Sequence, residues 1–330
     1  MTPRSIAIIG AGIAGLACAR RLTRPDVVVK LFDKSRSVGG RLATRRAPFG
    51  AGELRFDHGA QYFTARGSAF QGVVDTLRSS GAVAAWAAPL TYLAAGATRL
   101  GRDTAHFVGA PSMNAVAKAL AVGLDVTPNA RVVALQRTPA GWGLRFGDDT
   151  TAGPFDAVVV ATPAEQGVGL LEDAAPALAL QAAAARTAPC WAGLFAFDQP
   201  PNPDFEALCL ADHPVLAWLA HDSAKPGRNA AASCWVAHAR EEWSRAHLDI
   251  TPDEAAAILQ KTVCEILMAS RRPIYAAAHR WRYAKVERTA ASAHAFDPEL
   301  RIGVCGDWRL GARVEAAWLS GASLGEAMSS

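Results

Sequence analysis

The sequence predicts an α/β protein in which a parallel sheet, assembled from segments far apart in the chain, is interrupted by an inserted α+β lobe carrying a mixed or antiparallel sheet. Three observations predict it. An isoleucine-rich run at 5–9 leads through a glycine-rich turn into helical character at 14–22, the first half of a βαβ unit. Further apolar runs recur at 27–32, 157–160 and 300–305, each short enough to be a buried strand. Between the last two lies a long tryptophan-rich stretch with a periodic helix of its own at 252–268.

Taken in order, Pro25 and Asp26 make the turn before the second strand, which ends on Asp33. Segments 130–136 and 142–146 read as a hairpin closed through Pro139 and Gly141, expected to return with 157–160 and 300–305 to the first sheet. The nucleotide-type domain is then discontinuous, covering 1–64, 106–165 and 296–330, and the substrate lobe covers 65–105 and 166–295. That lobe holds Trp86, Trp191, Trp218, Trp235 and Trp281, and Lys225, Pro226 and Gly227 read as an exposed loop within it.

With 330 residues, 51% of them hydrophobic, the chain can fill two cores. A net charge of +4 without any block of Lys and Arg argues against nucleic acid and membrane surfaces as partners. Cys18, Cys190, Cys209, Cys234, Cys264 and Cys305 form no C-x-x-C pair, which points away from a metal site, a redox dithiol or a disulfide framework. They read as buried thiols of a cytoplasmic protein. Arg4, the apolar run and Ala17, Cys18, Ala19 imitate a signal peptide, but the glycines inside that run suit a nucleotide loop better. No other stretch is long and uncharged enough to span a membrane.

Gly10, Ala11, Gly12, Ile13, Ala14 and Gly15 fit G-x-G-x-x-G between a strand and a helix. The glycines turn tightly, admit a pyrophosphate and let helix pack on strand, while the helix N-terminus offers amides to phosphate. Asp33 stands where a carboxylate reaches an adenosine ribose. A dinucleotide is implied. No second such motif follows a strand, which disfavours enzymes that dock NADPH on a lobe of its own.

Ser35, Arg36, Ser37, Val38, Gly39, Gly40 and Arg41 resemble the second glycine motif of FAD-dependent amine oxidases and their relatives. So do Ala161, Thr162, Pro163 after an apolar strand, and Gly306, Asp307 followed by Val314 to Gly321. The resemblance implies FAD, expected to be non-covalently held, with Arg41 on the pyrophosphate, Asp307 on the ribityl or pyrophosphate edge, and the helix after Val314 aimed at the flavin. Lys34, Gly59, Ala60, Gln61, Val133 and Arg313 complete the implied FAD contacts.

A narrower resemblance, to bacterial renalase-like flavoproteins, rests on 56–66, on 278–284, and on Gly306, Asp307, Trp308 with Arg313, Val314, Glu315. Ala316 stands where such proteins often carry glycine. It implies oxidation of the 2-dihydro and 6-dihydro isomers of NAD(P)H to NAD(P)+, with O2 as acceptor and H2O2 as product; the sequence leaves monomer and dimer both open. Substrate contacts are then expected at Tyr62, Phe63, Thr64, Ala65 and Arg66, with Trp191, His279, Arg280 and Trp281 as a second set. No residue is required as acid or base, because positioning suffices for hydride transfer. Phe63 and Trp281 read equally as core, Arg66 and Arg280 as solvated surface, and His58 as a structural histidine. The alternatives are an amine oxidase and, outside catalysis, a flavin-holding redox sensor.

Overall fold

Ile6, Ala7, Ile8 and Ile9 are buried on both faces of strand Arg4–Ile9, as an apolar run with helices on either side requires. The computed structural model describes residues 4–50, 52–101, 105–228, 232–290 and 292–329. In it this strand pairs in parallel with Val27–Phe32 on one side and Ala157–Val160 on the other. Ile302–Val304 extends the parallel set, Asp125–Thr127 adds one edge and Ala295–Asp297 closes the other edge antiparallel. The six strands come from the start, the middle and the end of the chain, as a discontinuous Rossmann-like sheet demands.

Two expectations are corrected here. The hairpin Val132–Thr138 with Gly141–Phe146 does not return to this sheet; a further strand, Thr151–Phe155, pairs with it to make a separate three-stranded sheet. The sixth position is taken instead by Asp125–Thr127, whose three residues, mostly exposed, carry no apolar run to announce a strand. The periodic helix ends at Ile266 rather than 268, and begins as its sequence suggests: Pro252 occupies the first turn, and Thr251 and Glu254 form a reciprocal capping box.

The second sheet has seven strands in the order Tyr275–Arg288, Arg186–Phe197, Ser233–Ala239, Leu216–His221, Ala207–Leu210, Leu90–Ala94 and Ala97–Leu100. It is mixed, since Ala207–Leu210 runs parallel to Leu90–Ala94 while the other pairs are antiparallel. Its outer face presents Trp191, Phe195, Leu219 and Ala237 to Ala255, Leu259 and Val263 of helix Pro252–Ile266. Part of its inner face, Leu194, Ala196, Cys234 and Val236, packs on Ala47, Leu54 and Phe56 of the hairpin Thr44–Phe49 with Gly52–Asp57.

Helix Ile13–Leu22 packs directly on the last helix, Val314–Ala327. The approach is close enough that a Cβ on Gly321 would collide with the Ala14 carbonyl oxygen. Gly321→Ala is therefore expected to lower stability by about 1–3 kcal/mol, read by chemical denaturation. An unchanged midpoint would mean that the helices can separate freely.

Candidate functional site

At the nucleotide end, each motif glycine has a different surrounding. Gly10 adopts φ 104°, and a Cβ there would lie 2.8 Å from the Ala161 carbonyl oxygen. Gly15 packs so tightly that a Cβ would strike the Gly10 carbonyl. Gly12 is the opposite case: nothing lies within 4 Å of where its Cβ would stand. It is also the N-cap of helix Ile13–Leu22, which has no side-chain cap and no acid in its first turn. Open ground in front of uncapped helix amides is what a pyrophosphate needs, so these residues fit the implied dinucleotide.

Asp33 is buried, its carboxylate accepting from the amides of Ala11 and Ser35, each at 2.7 Å. Each oxygen keeps a second lone pair for a ribose hydroxyl. Gly39 donates to the Ala11 carbonyl at 2.9 Å, and Gly40 lies against Gly12, which brings the second glycine segment beside the first. Arg41 pairs directly with Asp307 at 2.5 Å and donates to the Ala284 carbonyl at 3.1 Å. The two residues expected to touch the cofactor separately thus stand side by side. Lys34 donates to Gln166, Val133 lies half-buried in its strand, and Thr162 accepts from the Trp308 indole. Pro163 caps helix Ala164–Leu171, and Arg313 is the exposed N-cap before Val314, with no side chain capping that helix. Gly59 is close-packed against the Arg41 carbonyl, and Ala60 donates to the same oxygen at 2.8 Å.

The seven-stranded sheet supplies the rest of the site. Its ladders set Tyr92, Cys209, Trp218, His238, Ala192 and His279 opposite one another in a single row across the inner face. The segment from Asp57 to Arg66 crosses this row. The His58 ring stacks on Trp281 at 5.1 Å and meets His279 edge-on at 4.7 Å. Its carbonyl accepts from the Trp281 indole at 2.9 Å and faces His238 Nε2 at 3.2 Å. The Tyr62 ring lies 4.6 Å from His106, 5.6 Å from Trp218 and 6.2 Å from Trp86.

The second substrate set divides. His279 and Trp281 face inward, but Trp191 and Arg280 alternate onto the outer face. There Trp191 is fully buried with its indole donating to the His247 carbonyl, and Arg280 lies over that ring and donates to the Leu248 carbonyl. Phe63 is core, packed on Phe70 and Phe107. Thr64 and Ala65 are half-buried, and Arg66 is exposed, its amide donating to Glu315. Glu315 also accepts from Gly67 at 2.7 Å, tying the start of helix Ser68–Ser79 to the last helix. Ala316 beside it is fully buried.

Beneath the Asp57–Tyr62 segment lies a cluster that the sequence does not announce. Lys225, expected in an exposed loop, has a side chain with 0% exposure. It donates to Asp222 at 2.6 Å and to Gln61 Oε1 at 3.1 Å. Gln61 Oε1 also takes the Trp218 indole, and its Nε2 donates to the carbonyls of Asp57 and Gly59, so its side chain is spent inside the protein. Asp57 pairs with Arg228 and accepts from Thr44 and Met113. Burial would raise its pKa, but Lys225, Arg228 and these hydrogen bonds outweigh it and hold the carboxyl low. Burial dominates at Asp222 and raises it.

Along the wall, burial pushes His58 down to about 3, helped by neighbouring His279, and His238 down to about 4. Burial raises Tyr62 to about 12. Among the described residues no group of three or more metal-ligating side chains occurs, and no helix is long and apolar enough to cross a membrane.

The model of the NAD(P)-binding Rossmann-like domain matches residues 8–77, and that of the flavin containing amine oxidoreductases matches 91–324, more than two thirds of the chain. The chain belongs to this amine oxidoreductase family. FAD is accordingly its cofactor and oxidoreduction its chemistry. Over 72 residues, 21% of the chain, it is 40% identical to "Putative oxidoreductase UacF" of Escherichia coli (strain K12), a match spanning 11% of that relative's length. A "putative protoporphyrinogen oxidase" from Exiguobacterium sp. 255-15 shares the fold with TM-score 0.77 at 13% identity, over 99% of both chains. Cyclohexylamine oxidase from Brevibacterium oxydans IH-35A does so with TM-score 0.73 at 13% identity, over 99% of this chain and 98% of its own.

Two measurements check the site. Gly12→Val keeps an ordinary φ of −74° but fills the open ground, so the purified variant is expected to lose its flavin absorbance while staying folded. A fully yellow variant would contradict the cradle. Folded His58 and His238 remain neutral where the unfolded chain takes up protons below about pH 6.5, so stability is full above that value and is lost as pH falls toward their folded values. Tm is expected to fall between about pH 6.5 and 5, above the ordinary carboxylate range, and less steeply in His58→Gln. Equal slopes would remove His58 from the account.

Proposed function

We propose that the chain oxidises dihydropyridine isomers of NAD(P)H, the 2-dihydro and 6-dihydro forms, to NAD(P)+, with O2 as acceptor and H2O2 as product. The observation carrying this reading is the chemistry of the wall: burial displaces His58, His238 and Tyr62 from neutrality, so none of them is poised to exchange a proton near pH 7. A dihydropyridine becomes an aromatic pyridinium by losing a hydride and no proton, which asks the protein for position alone. Held by Gly12, Asp33, Arg41 and Asp307, FAD would supply the two-electron acceptor for that hydride and a route for the electron pair to O2, with one solvent proton completing each peroxide.

The chain's own residues then have defined tasks. Tyr62 and His106, both half-buried, offer flat faces to a pyridine ring, and the buried Trp218 and Trp86 back Tyr62 and keep water from behind it. Arg66, exposed at the end of the same segment, suits the substrate's pyrophosphate. His279 and Trp281 steady His58 and the turn at Gly59.

A second reading, oxidation of an amine, is favoured by the family itself and by the fold shared with a cyclohexylamine oxidase and with a putrescine oxidase bound to putrescine. Anaerobic mixing separates the two. Borohydride-reduced NAD isomers are expected to bleach the flavin and, in air, to yield peroxide, whereas primary amines leave it oxidised; bleaching by amines alone would sink the first reading. Arg66→Ala is expected to raise KM about 10-fold with the flavin spectrum unchanged, and an unchanged KM would remove Arg66 from the site.

A further inference from the structure

The ammonium of Lys225 has the surroundings of a bound amine rather than of a surface lysine. Its side chain is wholly enclosed, one carboxylate oxygen of Asp222 lies at 2.6 Å, the Gln61 carbonyl oxygen at 3.1 Å, and the Trp86 ring centroid at 5.6 Å. A carboxylate, a neutral acceptor and an aromatic face are the components by which proteins hold alkylammonium ions. The Trp86 indole N–H is buried without an acceptor, so this ring meets its polar surroundings through its face, and the face is turned to the ammonium. Tyr62 and Trp218 adjoin the same spot, Tyr62 through ring contacts with Trp86 and Trp218, and Trp218 through its bond to Gln61.

The charges around it leave no second carboxylate to spare. Asp222 gives its other oxygen to the Asp57 amide at 2.9 Å, and Asp57 itself is paired with Arg228. Asp222 and Lys225 are therefore each other's partner within a quartet that is neutral as a whole. Without the lysine, Asp222 would lose the charge that offsets its burial, and the carboxyl would be relieved by a proton or by a cation of the ammonium's size and charge.

We infer that Lys225 is the built-in occupant of an ammonium site at the inner face of the seven-stranded sheet, and that by filling this site it closes the Tyr62 wall to amine substrates. The occupancy stands on these contacts alone; the consequence for specificity rests on Tyr62 lining the substrate slot, as proposed above. Filling the site from within leaves the wall to uncharged or cationic planar rings held by stacking, and it withholds the anion that a protonated amine would seek.

The test uses the flavin-loaded protein and ethylammonium chloride as probe, with sodium chloride at equal ionic strength as control. Wild type is expected to show no saturable change in Tm or flavin spectrum. Lys225→Ala, which removes the ammonium and leaves room for the probe, is expected to lose about 10 °C in Tm and to regain at least half of it saturably with ethylammonium. Lys225→Met, which fills the room without charge, is expected to fall similarly and not recover. A saturable response of wild type overturns the inference, and needs no variant to fold. So does recovery of Lys225→Ala that is no better with ethylammonium than with sodium, and Lys225→Gln, a milder truncation, provides the same comparison where Lys225→Ala does not accumulate. Neither outcome depends on whether dihydropyridines are oxidised, so failure here and failure of the proposed function are told apart.

Discussion

The buried Asp57 carboxylate is the constraint on which the site's geometry depends. One oxygen takes the Thr44 hydroxyl at 2.6 Å and the Met113 amide at 2.9 Å, and the other takes Arg228. Its own amide donates to Asp222. These partners come from the hairpin, from the approach to helix Ala115–Ala121 and from the loop after strand Leu216–His221, so a single residue joins the hairpin, that helix and the seven-stranded sheet. A carboxylate removed from water needs every one of such bonds, and losing a partner in this setting costs about 3–5 kcal/mol. The segment that follows, through His58, Gly59, Gln61 and Tyr62, is held where it crosses the inner face because its first residue cannot move.

The nucleotide half was legible because its requirements are local. Gly10, Gly12 and Gly15 answer to a left-handed turn, an open approach and a contact with the Gly10 carbonyl, all within a few residues, and only the press of Ala161 on Gly10 comes from afar. The second sheet was less so. Arg280 and Trp281 are neighbours in sequence yet face opposite sides of the strand, and no local pattern says which side is inward until His238 and Ala192 set the register. Lys225 hides its burial for the same reason: Lys, Pro and Gly in succession carry turn chemistry, while the burial is decided by Gln61, 164 residues away. Trp218 and Trp86 were visible as aromatic residues, but only the fold brings them to Tyr62.

The glycines also link the halves of the molecule. Gly59 lets the Asp57–Tyr62 segment press against Arg41, Arg41 holds Asp307, and the Gly306 amide just before it donates to Ser320 on the last helix. The same helix meets Ala14 through Gly321 and holds Arg66 and Gly67 through Glu315. Cofactor cradle and wall are thereby connected through the contacts of a few small residues and one ion pair. Such a frame suits chemistry that depends on alignment more than on proton transfer.

The most direct test of that claim is the pH dependence of anaerobic flavin reduction by a 6-dihydro NAD isomer, followed by stopped-flow absorbance in water and in deuterium oxide. With His58, His238 and Tyr62 displaced from neutrality, and burial lowering His106 and His279 beside them, the limiting rate should be level from about pH 7 to 9 and indifferent to solvent deuterium. A sigmoidal profile centred near neutrality with a solvent isotope effect of about 2 or more would contradict it, because a side chain would then be moving a proton in the step assigned to hydride transfer alone.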